Sequence, residues 1–440
     1  MMEEMSLHTE HGLGHVGYLE TEGGKRAQPS IRMDRVVESR FQRDLAGYEV
    51  LARNLWDSAP TVPAFLGRRR SVLDRWRRGR RLARRVEELK SHSASRAGAS
   101  LHEELRSRLP ELGGQLVRLL DLGPAEERLL TRADMTAATE DFVRQAKTDD
   151  PGLAAEDLGQ ALRNVWVIHF FQLLRLGTAR HTPAGLGYSL LYPYTDNVLD
   201  DPARSPHQKR AWSQRLGLRL SGVALPPRDE SEARVFLQLD RIDAEFPREE
   251  VPELHLALQA IHRSQVASLQ QQQRVALSED ELLQLSIAKG GASVLVDAYL
   301  VDGRPTPEMA RFSHVYGVAL QLADDLQDIE ADLDAGHQTL FTRAARRGTL
   351  EREFWRLVHF LDAALELCPP ARLADDAEAS AADLPAMARA SLVHLMVQAV
   401  GAQRCFPRSL RRRLGRYSPV TFGRAASLRR RLAGVLNVSF

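Results

Sequence analysis

Cysteine is almost missing: the 440 residues contain two, Cys368 and Cys405, in no CxxC or metal-ligand spacing. That excludes a disulfide scaffold and a thiolate metal centre, and it fits a reducing compartment. Lysine is scarce too. Of the 60 basic residues only Lys25, Lys90, Lys147, Lys209 and Lys289 are lysines, an arginine bias ascribed to genome composition. Neither charge sign dominates, since the formal net charge is +2, which argues against a dedicated nucleic-acid binder. Apolar runs are short. No N-terminal stretch has the run of a signal peptide, and nowhere do about eighteen apolar residues follow one another, so a soluble cytoplasmic protein is expected. Strand-like alternation and fixed-period repeats are absent as well.

What is present is enough apolar material, 43% of the chain, to bury a large core. Apolar residues recur at i, i+3 and i+4 over 101–121, 156–176, 232–246, 252–274, 280–301, 308–332 and 350–367, separated by breakers such as "LPPRD" and "DGRPTP". The fold class expected is all-α. Residues 1–35 read as a flexible arm, 36–100 as an Arg-rich helical extension and 101–440 as the main helical domain. "RVVESRFQRDLAGYEVLARNLWDS" is helical in pattern. Residues 68–85 hold ten arginines around Val72, Leu73, Trp76 and Leu82. Such a segment is either a solvated charged helix or one that lies on anionic headgroups.

The stretch "QLADDLQDIEAD", 321–332, sets five carboxylates and two glutamines into an apolar context. At helical spacing Asp324, Asp328 and Asp332 form one column, with Asp325 and Gln321 on its shoulder. Like charges at that spacing repel, and no lysine or arginine lies between Phe312 and His337 to relieve them. A second column stands far upstream in "LLYPYTDNVLDDPARS", where Asp196 and Asp200 are again at i and i+4, beside Asn197 and Asp201. Pro202 ends any regular helix there, so these carboxylates fall near a helix C-terminus, where an anion is disfavoured. Both clusters read either as capping and surface aspartates or as two walls of a site for hard cations. Mg²⁺ suits such all-oxygen ligation and leaves open positions for phosphate oxygens. An EF-hand is excluded: "DLDAGHQTLFTR" has no Gly at its sixth position and ends on Arg343.

The two clusters resemble the paired aspartate-rich motifs of the class I isoprenoid synthases, a superfamily of trans-prenyl diphosphate synthases, squalene/phytoene synthases and class I terpene synthases. "GVALQLADDLQD", Gly317 to Asp328, matches the prenyl synthase pattern G-x-x-x-Q-x-x-D-D-x-x-D at each fixed position. "DAGHQTLF" is similar to D-x-x-G-K-x-T-L-P, with His337 for the lysine and Phe341 for the proline. "IAKGGASVLVDAYLVDG" is similar to the family's K-T-G-x-L helix, with Lys289 as the diphosphate-binding lysine. The first motif, "TDNVLDDPARS", looks closer to the terpene synthase type, because the paired arginines of the transferases are missing. "GGKRAQP" at 23–29 copies another family box but lies far from its expected position and is read as chance.

The resemblance covers roughly 155–345. It implies a helical bundle around a central apolar cavity, and metal-dependent ionisation of an allylic prenyl diphosphate. The implied metal ligands are Asp196, Asp200, Asp201, Asp324, Asp325, Asp328 and Asp332, holding Mg²⁺. Lys289, Gln321, Arg204, Lys209 and Arg343 are the expected substrate-binding residues. Prenyl transfer is expected first. Cyclisation of one prenyl diphosphate is the alternative, and a non-catalytic prenyl-lipid-binding or partner-assembling protein of the same fold is the third. Trp166, Phe170 and Phe171 are candidates for the cavity wall or for ordinary core. His262 with Gln265, and His314 with Tyr316, are candidates for the site or for the core. Expected partners are the prenyl diphosphate and, as options, a membrane surface met through 68–85 and a second copy of the chain; no nucleic acid is expected.

Overall fold

The computed structural model describes residues 35–94, 129, 132–199, 201–272, 275–371 and 383–427, all in a unit that begins at Met33. The expected arm with its Gly-Gly-Lys-Arg stretch, the expected helix over 101–121, most of "LADDAEASAADLP", the end of the basic tail and Asp200 lie outside them. Among the described residues every regular element is helical, and no helix is long and apolar enough to cross a membrane.

Caps set many of the helix starts. Ser205 with Gln208, Ser278 with Glu281 and Thr339 with Thr342 form reciprocal capping boxes, and each satisfies N–H groups that a helix start leaves orphaned. Proline follows the N-cap residue directly at Pro206, Pro252 and Pro307, where its missing N–H costs nothing. Glycines in the left-handed region close several helices, among them Gly177, Gly303 and Gly336.

In chain order the α-helices are α1 (Arg35–Ser58), α2 (Val72–Ala94), α3 (Ala133–Asp149), α4 (Ala155–Leu176), α5 (Pro183–Leu199), α6 (Pro206–Leu220), α7 (Glu230–Glu245) and α8 (Pro252–Ser268). They continue with α9 (Glu279–Asp302), α10 (Pro307–Gln327), α11 (Ile329–Ala335), α12 (Leu340–Arg347), α13 (Leu350–Glu366), α14 (Asp383–Ala402) and α15 (Arg408–Leu414). A 3₁₀ turn over Leu269–Gln272 extends α8.

The helix α9 is the partition of the molecule. It packs on α10, α8, α4 and α1, and it buries apolar residues on most sides, one narrow polar stripe apart. Leu282, Leu283, Ile287 and Val294 enter one core with Phe312, Phe341, Phe354 and Phe360 of α10, α12 and α13. Leu295, Val296 and Leu300 enter a second core with Phe142, Leu186, Leu190 and Leu254 of α3, α5 and α8. Trp56 of α1 is 2% exposed and packs edge-on against Phe360.

Two glycines let α9 and α10 touch along their backbones. A Cβ on Gly290 would lie 2.5 Å from the Gly317 carbonyl oxygen, and one on Gly317 would collide with the Gly290 carbonyl. Gly291 makes room in the same way for the buried His314 ring. The crossing sets Lys289 beside the carboxylates of α10.

Candidate functional site

The second acidic column forms as spaced, with one difference from a plain helix. α10 ends at Gln327 and α11 begins at Ile329, leaving Asp328 between them. The helical hydrogen bonds nevertheless pass through: Asp328 N donates to Asp324 O at 3.1 Å and Asp332 N to Asp328 O at 2.8 Å. The three aspartates therefore keep their one-turn spacing. Gln403 satisfies the groups that the break frees. Its amide donates to Leu326 O at 2.8 Å and accepts from Glu330 N at 3.1 Å.

Charge accumulates in this column. Partial burial, then the charges of Asp324 and Asp332, push the Asp328 pKa up to about 6, against the attraction of Arg163 and Lys289. Asp332 is raised by burial, although His337 Nδ1 lies 3.4 Å from its carboxylate. Asp324 and Asp328 are open to solvent at the rim. Asp325 points inward. Its carboxylate accepts from Gln321 at 2.8 Å and from Ser286 at 3.0 Å, and burial pushes its pKa up to about 7. Gln321 and Asp325 thus brace the column from beneath.

The first motif occupies the end of α5, near the helix C-terminus as Pro202 requires. Asp196 accepts from Gln160 of α4 at 2.6 Å. Asn197 turns to Asp157 of α4 at 3.2 Å. Asp201 caps Ala203 N and pairs with Arg204, which also reaches Asp229 and Ser231. Asp200 is outside the described residues. Arg343 donates to Leu277 O, and Lys209 lies half-buried on α6.

One helix, α4, carries a residue that bears on each motif. Gln160 and Arg163 stand one turn apart on the same face of α4; Gln160 binds Asp196, and Arg163 acts on Asp328. Neither was singled out in the sequence, where both read as the polar face of an amphipathic helix.

Beneath the rim a polar stripe on α9 runs inward through Ser286, Lys289, Ser293 and Asp297, spaced to share a face. Ser286 meets Asp325, Ser293 meets Tyr188 and Tyr192, and Asp297 accepts from Asn164 at 3.2 Å. The Tyr192 hydroxyl is pushed up, chiefly by burial. Asp297 is wholly buried, and its pKa is driven well above the carboxylate range by desolvation.

The aromatic expectations divide. Phe170 and Phe171 are core, packed with Phe312 and Tyr316. Trp166 is 51% exposed and so lines nothing inside: its place on α4 falls on the outer face. His314 is buried with neither ring nitrogen partnered, and Tyr316 stacks on Phe312; both belong to the core. His262 and Gln265 border an apolar chamber together with Tyr192, Leu258 and Ile261. That chamber measures about 40 Å³, room for a water or two. A larger hollow of about 710 Å³, bordered by Arg40, Tyr48, Glu253, Tyr299 and Arg311, contains none of the candidate site residues.

Among the described residues, no group of three His, Cys, Asp or Glu side chains is gathered that could hold a metal ion as it stands. Compared with protein-family models, with curated proteins and with solved structures, the chain matches none.

Proposed function

We propose that the chain is an Mg²⁺-dependent isoprenoid synthase of the class I all-α type, acting on allylic prenyl diphosphates by prenyl transfer. The observation that supports this reading is on α4: Gln160 donates to Asp196 at 2.6 Å, and one turn along the Arg163 charge works against the rise of the Asp328 pKa. On this reading the two acidic motifs, remote in sequence, share one rim.

The donor set suits a hard dication in kind, since it is all carboxylate and burdened by its own charge. Asp324, Asp328 and Asp332 would hold it from one side, and Asp196 with Asp200 and Asp201 from the other. When bound, magnesium would neutralise diphosphate charge as a Lewis acid. The remaining work belongs to the chain. Lys289 and Arg163 supply donors aimed at the leaving diphosphate. The C–O bond breaks with its electron pair on the diphosphate, and the allylic cation is taken up by the double bond of a second substrate, which then loses a proton. Asp325 and Gln321 keep the column in register. Because the chamber beside Tyr192 and His262 is so small, a prenyl tail enters only if one of those side chains swings aside.

Cyclisation of a single prenyl diphosphate is the second reading. It is favoured by the first motif, where Asp196 is followed by Asn197, engaged with Asp157, in place of a second aspartate.

Incubation with labelled farnesyl or geranylgeranyl diphosphate and Mg²⁺, with and without isopentenyl diphosphate, tests the assignment. An elongated diphosphate establishes transfer, and a hydrocarbon or alcohol establishes cyclisation. No turnover at any chain length removes the enzymatic reading and leaves a prenyl-lipid-binding scaffold. Asp196→Ala and Asp324→Ala are each expected to lower turnover by about a hundredfold or more with an unchanged helical circular dichroism spectrum. Wild-type turnover in either variant refutes the site.

A further inference from the structure

The arginine-rich helix α2 has two faces with different fates. Arg75, Gly79 and Leu82, one turn apart, face the body of the protein. Arg75 donates to Gly415 O at 2.6 Å, Gly79 meets the Arg424 side chain, and Leu82 packs on Val420. The approach to the helix is fastened as well: Arg69 donates to the Tyr417 hydroxyl at 2.9 Å and Arg70 to the Tyr417 carbonyl at 2.7 Å.

Among the described residues, nothing of that kind holds the opposite face. Leu73 and Trp76 lie there about half exposed, with Val72 at their flank and Phe65, 76% exposed, in the segment leading in. The Arg80 guanidinium covers the Trp76 ring at 4.8 Å, and Arg77, Arg81 and Arg84 ring the same side. The segment 68–85 carries ten arginines and one acidic residue, Asp74. Large apolar side chains rimmed by cations, on a helix anchored from behind, match the chemistry of an anionic bilayer surface. The rings and aliphatic tips enter the headgroup–acyl boundary while guanidinium groups meet phosphate. A nucleic acid would use the same arginines, but it offers little to Val72 and Leu73, which cannot hydrogen-bond or stack on bases.

We propose that this face of α2, with Phe65, Leu73 and Trp76 inserted and Arg77, Arg80, Arg81 and Arg84 on the headgroups, docks the protein on anionic membranes. The proposal is independent of the isoprenoid reading, and its test reads binding rather than turnover.

The full chain is floated with vesicles of phosphatidylcholine alone and of equimolar phosphatidylcholine and phosphatidylglycerol. Flotation with the anionic vesicles only is expected. The double change Leu73→Glu and Trp76→Glu should lower partitioning by about tenfold or more while the circular dichroism spectrum stays the same. Brominated lipid should quench part of the tryptophan fluorescence, and Trp76→Phe should remove that part. Equal flotation of wild type and double variant, or no flotation of either, overturns the proposal. So does binding to poly(U) that the double variant retains while vesicles are ignored, which would make the surface a nucleic-acid one.

Discussion

Asp297 is wholly buried. Asn164 donates to one of its oxygens, the other has no partner, and Tyr192 stands close by. Desolvation therefore keeps the folded protein protonated at this site where an unfolded chain has already released its proton. The sign follows from linkage. Stability from the protonated acid is complete below the ordinary carboxylate pKa and is lost as pH climbs toward the raised one. Each pH unit crossed in that window costs about 1.4 kcal/mol. Asp297→Asn keeps the shape and removes the titration. Urea unfolding should find the variant and wild type closely matched near the acid end and the variant increasingly more stable as pH rises to 8. A difference that does not change with pH would mean that Asp297 is ionised in the fold. The buried acid was not legible in "ASVLVDAYL", because a single Asp among apolar residues reads equally as a turn of exposed surface.

At the scale of the element, the contact of α9 with α10 depends on the absence of two side chains. Gly317→Ala gains up to about 1 kcal/mol of helix propensity, but it drives a methyl group into the Gly290 carbonyl, and overpacking of that sort costs about 1–3 kcal/mol. Net destabilisation is expected in chemical denaturation, with the helix pair forced apart and Lys289 drawn away from Asp325 and Asp328. Unchanged stability would show that the backbones are not in contact. The periodic apolar pattern located α4, α7, α8, α9, α10 and α13 within a few residues, because each buries a broad stripe. It did not mark α6, whose sequence "PHQKRAWSQRLGLRL" buries only Trp212, Leu216 and Leu220. It also carried α10 through Asp328 without a break. Nothing local announces that break: the aspartate spacing survives it, and the side chain that stabilises it comes from a distant helix. The two acidic motifs were legible because carboxylates in apolar surroundings are conspicuous. Gln160 and Arg163 were not, since what makes them matter is the packing of α4 on α5.

At the scale of the whole molecule, residues near the C-terminal end reach back to the candidate site. Gln403, 5% exposed, spans the joint between α10 and α11, while Glu330 accepts from the backbone N–H of Cys405. Gln403→Ala leaves a buried carbonyl and a part-buried N–H unpaired, a loss of about 1–3 kcal/mol, readable as a lowered denaturation midpoint. If the enzymatic reading holds, turnover should fall too, although Gln403 touches no carboxylate of the column. An unaltered midpoint would show the joint to be self-supporting. The row of three aspartates is thus a ruler with a knuckle at its second mark, and the knuckle is splinted from far along the chain. Straightening or flexing it would alter where the third carboxyl aims while leaving the first where it stands, so changes far along the polypeptide can retune the acidic rim without editing a single residue in it.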